Sequence, residues 1–527
     1  MNQLFQEHSD ENRVKEPNKL ADYIRDFASR IADLQEIFIN LSTDNFTQSI
    51  KEIESYCFFD NDDQIHDFLF HLIEATEYRP LKIDIFCDFL IEIFRQKKSL
   101  IGFVRKDLLK QLFRSFLYQS PFPEQSSKVH FLYRCYFKGI LELGSIIKLI
   151  QKTIDNYIWY SESIAWIVSY FIDLVPEGIL NEARSRTIKN PPINPIFKKF
   201  LNSYRFNDYY ENNERKNSSI FIKILKKDDV DALNMSLCPN YNYDLIIEPD
   251  IFEECRIIQY RPTLISCAAF FGSIKCFKYL LLNHASLSRR DERKKSIATF
   301  AVSGGNVEII RILEQEKIDF DDTIKDSVIF YHFDIFEWIR VTKFTEDLDS
   351  YNITQMCAYS GNIKILIHCI NSGCNVNRFF LGQTPILKAA EKGKSDVIKI
   401  LLSLPEINPN EKCESETPLI YAARNGNVDC VKILCSSPKV KLNEVGIIGS
   451  ALHYATFYCH AKVVKILLQT KRIDTSIRDH LRETALQTAK NNNIKKIEKI
   501  LTEDQSFFGY VVEHFKDFIN GVLFWLL

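Results

Sequence analysis

The sequence predicts an all-α chain, an α-solenoid preceded by a separate helical domain. Three observations carry this expectation. A helix-starting dipeptide recurs at a fixed interval, from Thr384-Pro385 to Thr417-Pro418, 33 residues on. Ser450-Ala451 and Thr484-Ala485 extend the series at intervals of 33 and 34 residues. Outside the series, apolar residues fall three and four positions apart, the period of one helix face. Glycine and proline are scarce, 16 of each in 527 residues, which suits helices and disfavours a β-sandwich.

Taken in chain order, residues 1–19 are polar and lack the apolar run of a secretory signal, and they are expected to be flexible. Residues 20–205 are expected to form an α-helical domain. Tyr23, Phe27, Ile31, Leu34, Ile37 and Phe38 make one apolar stripe, and Phe68, Phe70, Leu72 and Ile73 another. Pro80 opens a third helix that runs through Ile83, Phe86, Phe89, Leu90 and Ile93. Helical spacing continues over Ile101–Tyr118, Val129–Leu141, Ile146–Tyr160 and Ile164–Leu174. The proline-bearing Lys189–Pro195 marks the exit of this domain, and residues 206–218 a polar linker.

The repeats follow, divergent over 219–340 and regular over 341–505. Ser219–Leu233 reads as a half-unit capping the stack. Pro262–Gly272 leads into the apolar run Cys276–Leu282, and Gly305 falls 33 residues after Gly272. The unit at Tyr331–Ile339 is shortened, only 26 residues on from Gly305, and Gly361 restores the register. In the regular units a hydroxyl caps the first helix, proline takes its first position, and two alanines allow neighbouring helices to approach. A glycine then supplies the left-handed residue that ends the helix. Gly393-Lys394-Ser395 also matches the end of a phosphate-binding P-loop. Lys388 stands where that motif needs a glycine, so the helix-ending turn is the better reading.

With Thr417-Pro418-Leu419 followed by Ala422-Ala423 and Gly426, the repeats resemble the ankyrin-repeat family. The degenerate block upstream resembles the divergent ankyrin segments of repeat proteins expanded in some protists. The resemblance implies a concave face built from turn fingertips and from the two variable residues between Ala-Ala and Gly. Mapped here, the candidate partner-binding residues are Phe270, Phe271, Tyr359, Glu391, Lys392, Arg424, Asn425, Phe457 and Tyr458. A competing reading has Phe270 and Phe271 packed under the insertion around Tyr241–Ile258. His453 matches the family's histidine, expected to bond the neighbouring finger.

Composition excludes several classes. A formal net charge of -2 offers no electrostatic case for nucleic acid. Fourteen cysteines without a secretory signal point to a reducing, cytoplasmic setting, where they serve as small apolar residues. Cys369/Cys374 and Cys430/Cys435 lack the histidines of a zinc site, so no metal or other cofactor is expected. No nucleophile elbow, zinc-protease helix or dinucleotide fingerprint occurs, and no catalytic residue is assigned. Asp84, Glu92, His66 and His71 read as solvated positions on helix surfaces.

Residues 506–527 are expected by pattern to form an amphipathic C-terminal helix, with Val511, Phe515, Phe518, Ile519, Val522 and Leu526 on one side. Capping the last repeat is the favoured role, against a membrane-surface helix or a partner-binding helix. The function expected is a non-enzymatic scaffold or adaptor that binds a protein on the concave face. The alternatives are a peripheral membrane tether acting through the C-terminal helix, or an enzyme with an unrecognised site in the helical domain.

Overall fold

The computed structural model describes residues 22–118, 126–156, 161–171, 174–182, 219–237, 242–250, 253–343 and 352–503. Residues 1–19, the Lys189–Pro195 segment, the 206–218 linker and the 506–527 helix lie outside them. The described residues are helices joined by turns, with four isolated β-bridges and no strand. The fold is all-α, an α-solenoid preceded by a helical domain. The chain divides into two compact units, Ser29–Tyr351 and Asn352–Leu527 with Met1–Ala28.

Within Ser29–Tyr351, the predicted apolar stripes meet as one core. The Phe38 ring packs against Phe68 at 5.8 Å and edge-on against Phe86 at 6.2 Å. Asn61 caps the Asp62–Tyr78 helix by accepting the Gln64 N–H at 3.0 Å. Pro80 opens a single 3₁₀ turn that feeds the Ile83–Gln96 helix. Two expectations need correction. Tyr23 is exposed, not part of the buried stripe. His71 is buried, because the Asp62–Tyr78 helix is covered both by Ile101–Tyr118 and by Ser126–Phe137. His66 is half-buried and bonds the Asp107 carboxylate at 2.7 Å. Asp84 receives the Arg134 guanidinium at 2.5 Å.

Between 219 and 343 this unit forms four helix pairs. They are Ile220–Lys227 with Val230–Leu237, Leu264–Phe271 with Ile274–Leu282, Ile297–Gly304 with Val307–Gln315, and Ile324–Ile329 with Phe333–Lys343. First helices stack directly on one another. At Gly304 the approach is so close that a Cβ would stand 2.2 Å from the Phe270 carbonyl oxygen, so only glycine fits.

In Asn352–Leu527 the pairs are Ile353–Ser360 with Ile363–Asn371, Pro385–Lys392 with Ser395–Ser403, and Pro418–Arg424 with Val428–Ser436. Ala451–Phe457 with Ala461–Gln469, and Ala485–Asn491 with 495–503, complete the stack. Fingers between pairs are closed by the bridges Phe380–Gln383, Cys413–Glu416 and Val445–Ser450. An asparagine ladder ties repeat to repeat. The Asn377, Asn410 and Asn443 amides donate to the carbonyls of Glu406, Lys439 and Arg472 at 2.7, 2.8 and 2.9 Å. Their side-chain oxygens accept the N–H groups of Asn408, Lys441 and Asp474 at 2.8, 2.7 and 2.9 Å. Each rung satisfies backbone groups that the turn leaves unpaired.

Gly393 takes φ +73°, the left-handed value that a helix-ending turn requires. Gly426 takes φ +66°, and an added Cβ would approach His460 Nδ1 to 3.0 Å. Gly426→Val is therefore expected to lower stability by about 1 kcal/mol or more, from the left-handed penalty alone. Thermal melting checks this, and an unchanged midpoint would remove Gly426 from the turn.

Candidate functional site

The inner helices and fingers of 352–503 carry most of the candidate residues. Tyr359 is half-buried, with the Lys392 ammonium 5.4 Å from its ring centre. Glu391 accepts from Gln383 Nε2 at 3.0 Å and Lys388 Nζ at 2.9 Å, with Lys392 Nζ 3.2 Å away. Burial opposes its ionisation, but Lys392, Lys388 and Gln383 prevail and hold the carboxyl below its usual range. Arg424 Nη1 pairs with Glu416 at 3.2 Å, and the Tyr454 hydroxyl donates to the same buried carboxylate.

Asn425 is committed elsewhere. Its amide donates to the Glu391 carbonyl at 2.9 Å, while Asn427 donates to Ala390 at 2.8 Å, so both join adjacent repeats. His460 bonds the Arg424 carbonyl at 2.7 Å in the same manner. His453 bonds Ser450 Oγ at 2.9 Å and the Glu483 carbonyl at 3.1 Å, the finger contact expected of it. Phe457 is 38% exposed and lies edge-on to the half-buried Tyr458 at 5.2 Å.

Three residues escaped the sequence reading. Leu381, Ile447 and Leu481 sit at fingertips and are 85%, 61% and 64% exposed. Leu381 adopts φ 49°, a left-handed conformation that costs a branched apolar residue free energy. Their signal was present: apolar residues recur at turn positions where glycine, asparagine or aspartate is the norm.

In Ser29–Tyr351 the candidates fare differently. Phe270 is 4% exposed, with Phe330 at 6.1 Å, and is unavailable to a partner. The first helix of the shortened unit ends at Phe330, whose ring packs edge-on against it. Phe271 is half-buried, with the Lys226 ammonium 5.4 Å from its ring centre. Nearby, Glu253, Glu254 and Cys255 place three possible ligand atoms within 4.8 Å of one another, all buried. Lys226 already meets this charge, 2.6 Å from Glu254 and 3.8 Å from Glu253. Burial and the two carboxylates push the Cys255 thiol well up. Every described cysteine is a free thiol.

Residues 354–445 match a family model of ankyrin repeats in three copies, and residues 450–480 match a single ankyrin repeat. The chain carries ankyrin repeats over 354–480. Both matches fall on the regular repeats, which carry the candidate residues from Tyr359 to Tyr458. No curated protein matches the chain. Ankyrin repeats as a class are protein-interaction modules, because a solenoid leaves one long face free of its own packing. Among the described residues, no helix is long and apolar enough to cross a membrane.

Proposed function

We propose that this ankyrin-repeat protein is a non-enzymatic, cytoplasmic scaffold that binds a protein partner along the fingers and inner helices of 352–503. The observation that carries the reading is the recurrence of exposed apolar fingertips at Leu381, Ile447 and Leu481, in the same stack as the half-buried Tyr359, Lys392 and Arg424 and the exposed Phe457. Solvated turns have no use for such side chains, and apolar anchors rimmed by arginine and tyrosine are what a protein interface uses.

The test is a triple variant, Leu381→Ser with Ile447→Ser and Leu481→Ser. These exposed changes are expected to leave the melting temperature within a degree or two. Partner recovery from native lysate is expected to fall at least ~10-fold, as loss of a few interface anchors predicts. Equal recovery of the same partner by wild type and variant would rule out this face.

A further inference from the structure

The turn that ends the first helix of the shortened repeat carries groups that point to a ligand of its own. Backbone bonds align the shortened unit with its neighbours: His332 N donates to Ser327 O at 2.9 Å, as Ser273 N donates to Ala268 O at 3.0 Å. On that alignment Phe330 stands at the second variable position. Tyr331 stands where the neighbouring units have the left-handed glycines Gly272 and Gly305. Tyr331 keeps the left-handed backbone, φ 59°, despite its bulk.

What it gains is contact with the N-terminal helices. The Tyr331 ring stacks on Tyr78 at 3.8 Å and an interplanar angle of 22°. The next residue, Arg79, donates from Nη1 to the Phe330 carbonyl at 2.6 Å and to the Tyr78 carbonyl at 2.8 Å. Arg79 Nη2 lies 3.4 Å from His332 Nδ1, and His332 Nε2 reaches the Ser303 carbonyl at 3.0 Å. One tautomer satisfies both contacts, with Nδ1 accepting and Nε2–H donating. Arg79 is half-buried, and its guanidinium joins its own turn to the Phe330 carbonyl, a use of arginine typical of interface anchors.

We infer that the N-terminal helical segment is the resident ligand of the divergent repeats, latched at Tyr78 and Arg79 onto Phe330, Tyr331 and His332. These repeats recognise a segment of their own chain where others would meet a partner. Trans binding is left to 352–503. The stack on Tyr78 is the signature of the arrangement: the turn asks only for a left-handed residue, supplied by Gly272 and Gly305 and by Cys459 at φ 63°, and the ring contact is what tyrosine adds.

The experiment uses the full chain with a protease site placed within residues 206–218, cleaved after purification and run on gel filtration. The two pieces are expected to co-elute. Arg79→Ala and Tyr331→Gly are each expected to weaken their association about tenfold or more, measured by dilution. Tyr331→Gly is the sharper variant, because it relieves the backbone and keeps the repeat folded while deleting the stack. Separation of the wild-type pieces, or association undiminished in both variants, would overturn the proposal.

Discussion

Lys128→Met is expected to cost about 3–5 kcal/mol of stability, the usual penalty for stranding buried charge. The Lys128 ammonium is fully buried between the Asp62–Tyr78 and Ser126–Phe137 helices. It bonds Glu74 at 2.7 Å and Glu77 at 2.8 Å. Burial alone would drive it towards the neutral amine, but the two carboxylates reverse this and hold its pKa above the ordinary lysine value. Methionine fills similar volume and leaves two carboxylates facing an apolar side chain. Combining it with Glu74→Gln and Glu77→Gln is expected to restore most of the loss, because neutral amides do not carry the penalty of an unpaired ion. Urea unfolding separates the two effects. A single variant within about 1 kcal/mol of wild type would show that the triad contributes no more than a surface pair.

Acid is expected to unfold Ser29–Tyr351 through the buried His130 and the half-buried His332. Burial and the adjacent Arg79 hold His332 down to about 3. Burial lowers His130 to about 4, with Glu254 and Asp84 opposing and Lys226 and Arg134 assisting. Both folded values lie below the unfolded value of 6.5, so between them the unfolded chain binds more protons. The stabilisation is fully present above pH ~6.5 and is lost as pH falls through about 4 and then about 3. Each group steepens the decline by up to about 1.4 kcal/mol per pH unit inside its window. Glu254, held at about 2 against burial by Lys226, stays ionised across most of it. His332→Asn isolates one of the two, since Asn306 and Asn427 occupy the same turn position in other repeats. Its stability is expected to fall less steeply between pH 6 and 4 than wild type, and parallel curves would mean that His332 does not titrate on unfolding.

The repeats were legible because their signals are local. Thr417 accepts the Ile420 N–H at 3.4 Å and Gly426 turns left-handed at φ +66°, and each depends only on residues within a turn or two. The 33-residue recurrence then sets the stacking, since each unit can cover its apolar face only with a copy of itself. Arg424, Lys392 and Tyr359 were placed near the site by the same register. The ladder of Asn377, Asn410 and Asn443 had the same period, yet asparagine in a turn reads as a turn former, and its bonds to the next repeat cannot be read from one unit.

Tertiary structure decided the rest. An apolar stripe shows that a face is buried but not what covers it, so His71 and Phe270 were misplaced while their helices were found. The bond from Arg79 to Phe330 spans 251 residues, and no period or local motif links the two positions. Local sequence determines which residues can end a helix or cap a turn, because those energies are set within a few residues. Which surface is already occupied by the chain itself depends on contacts that exist only once distant segments have packed.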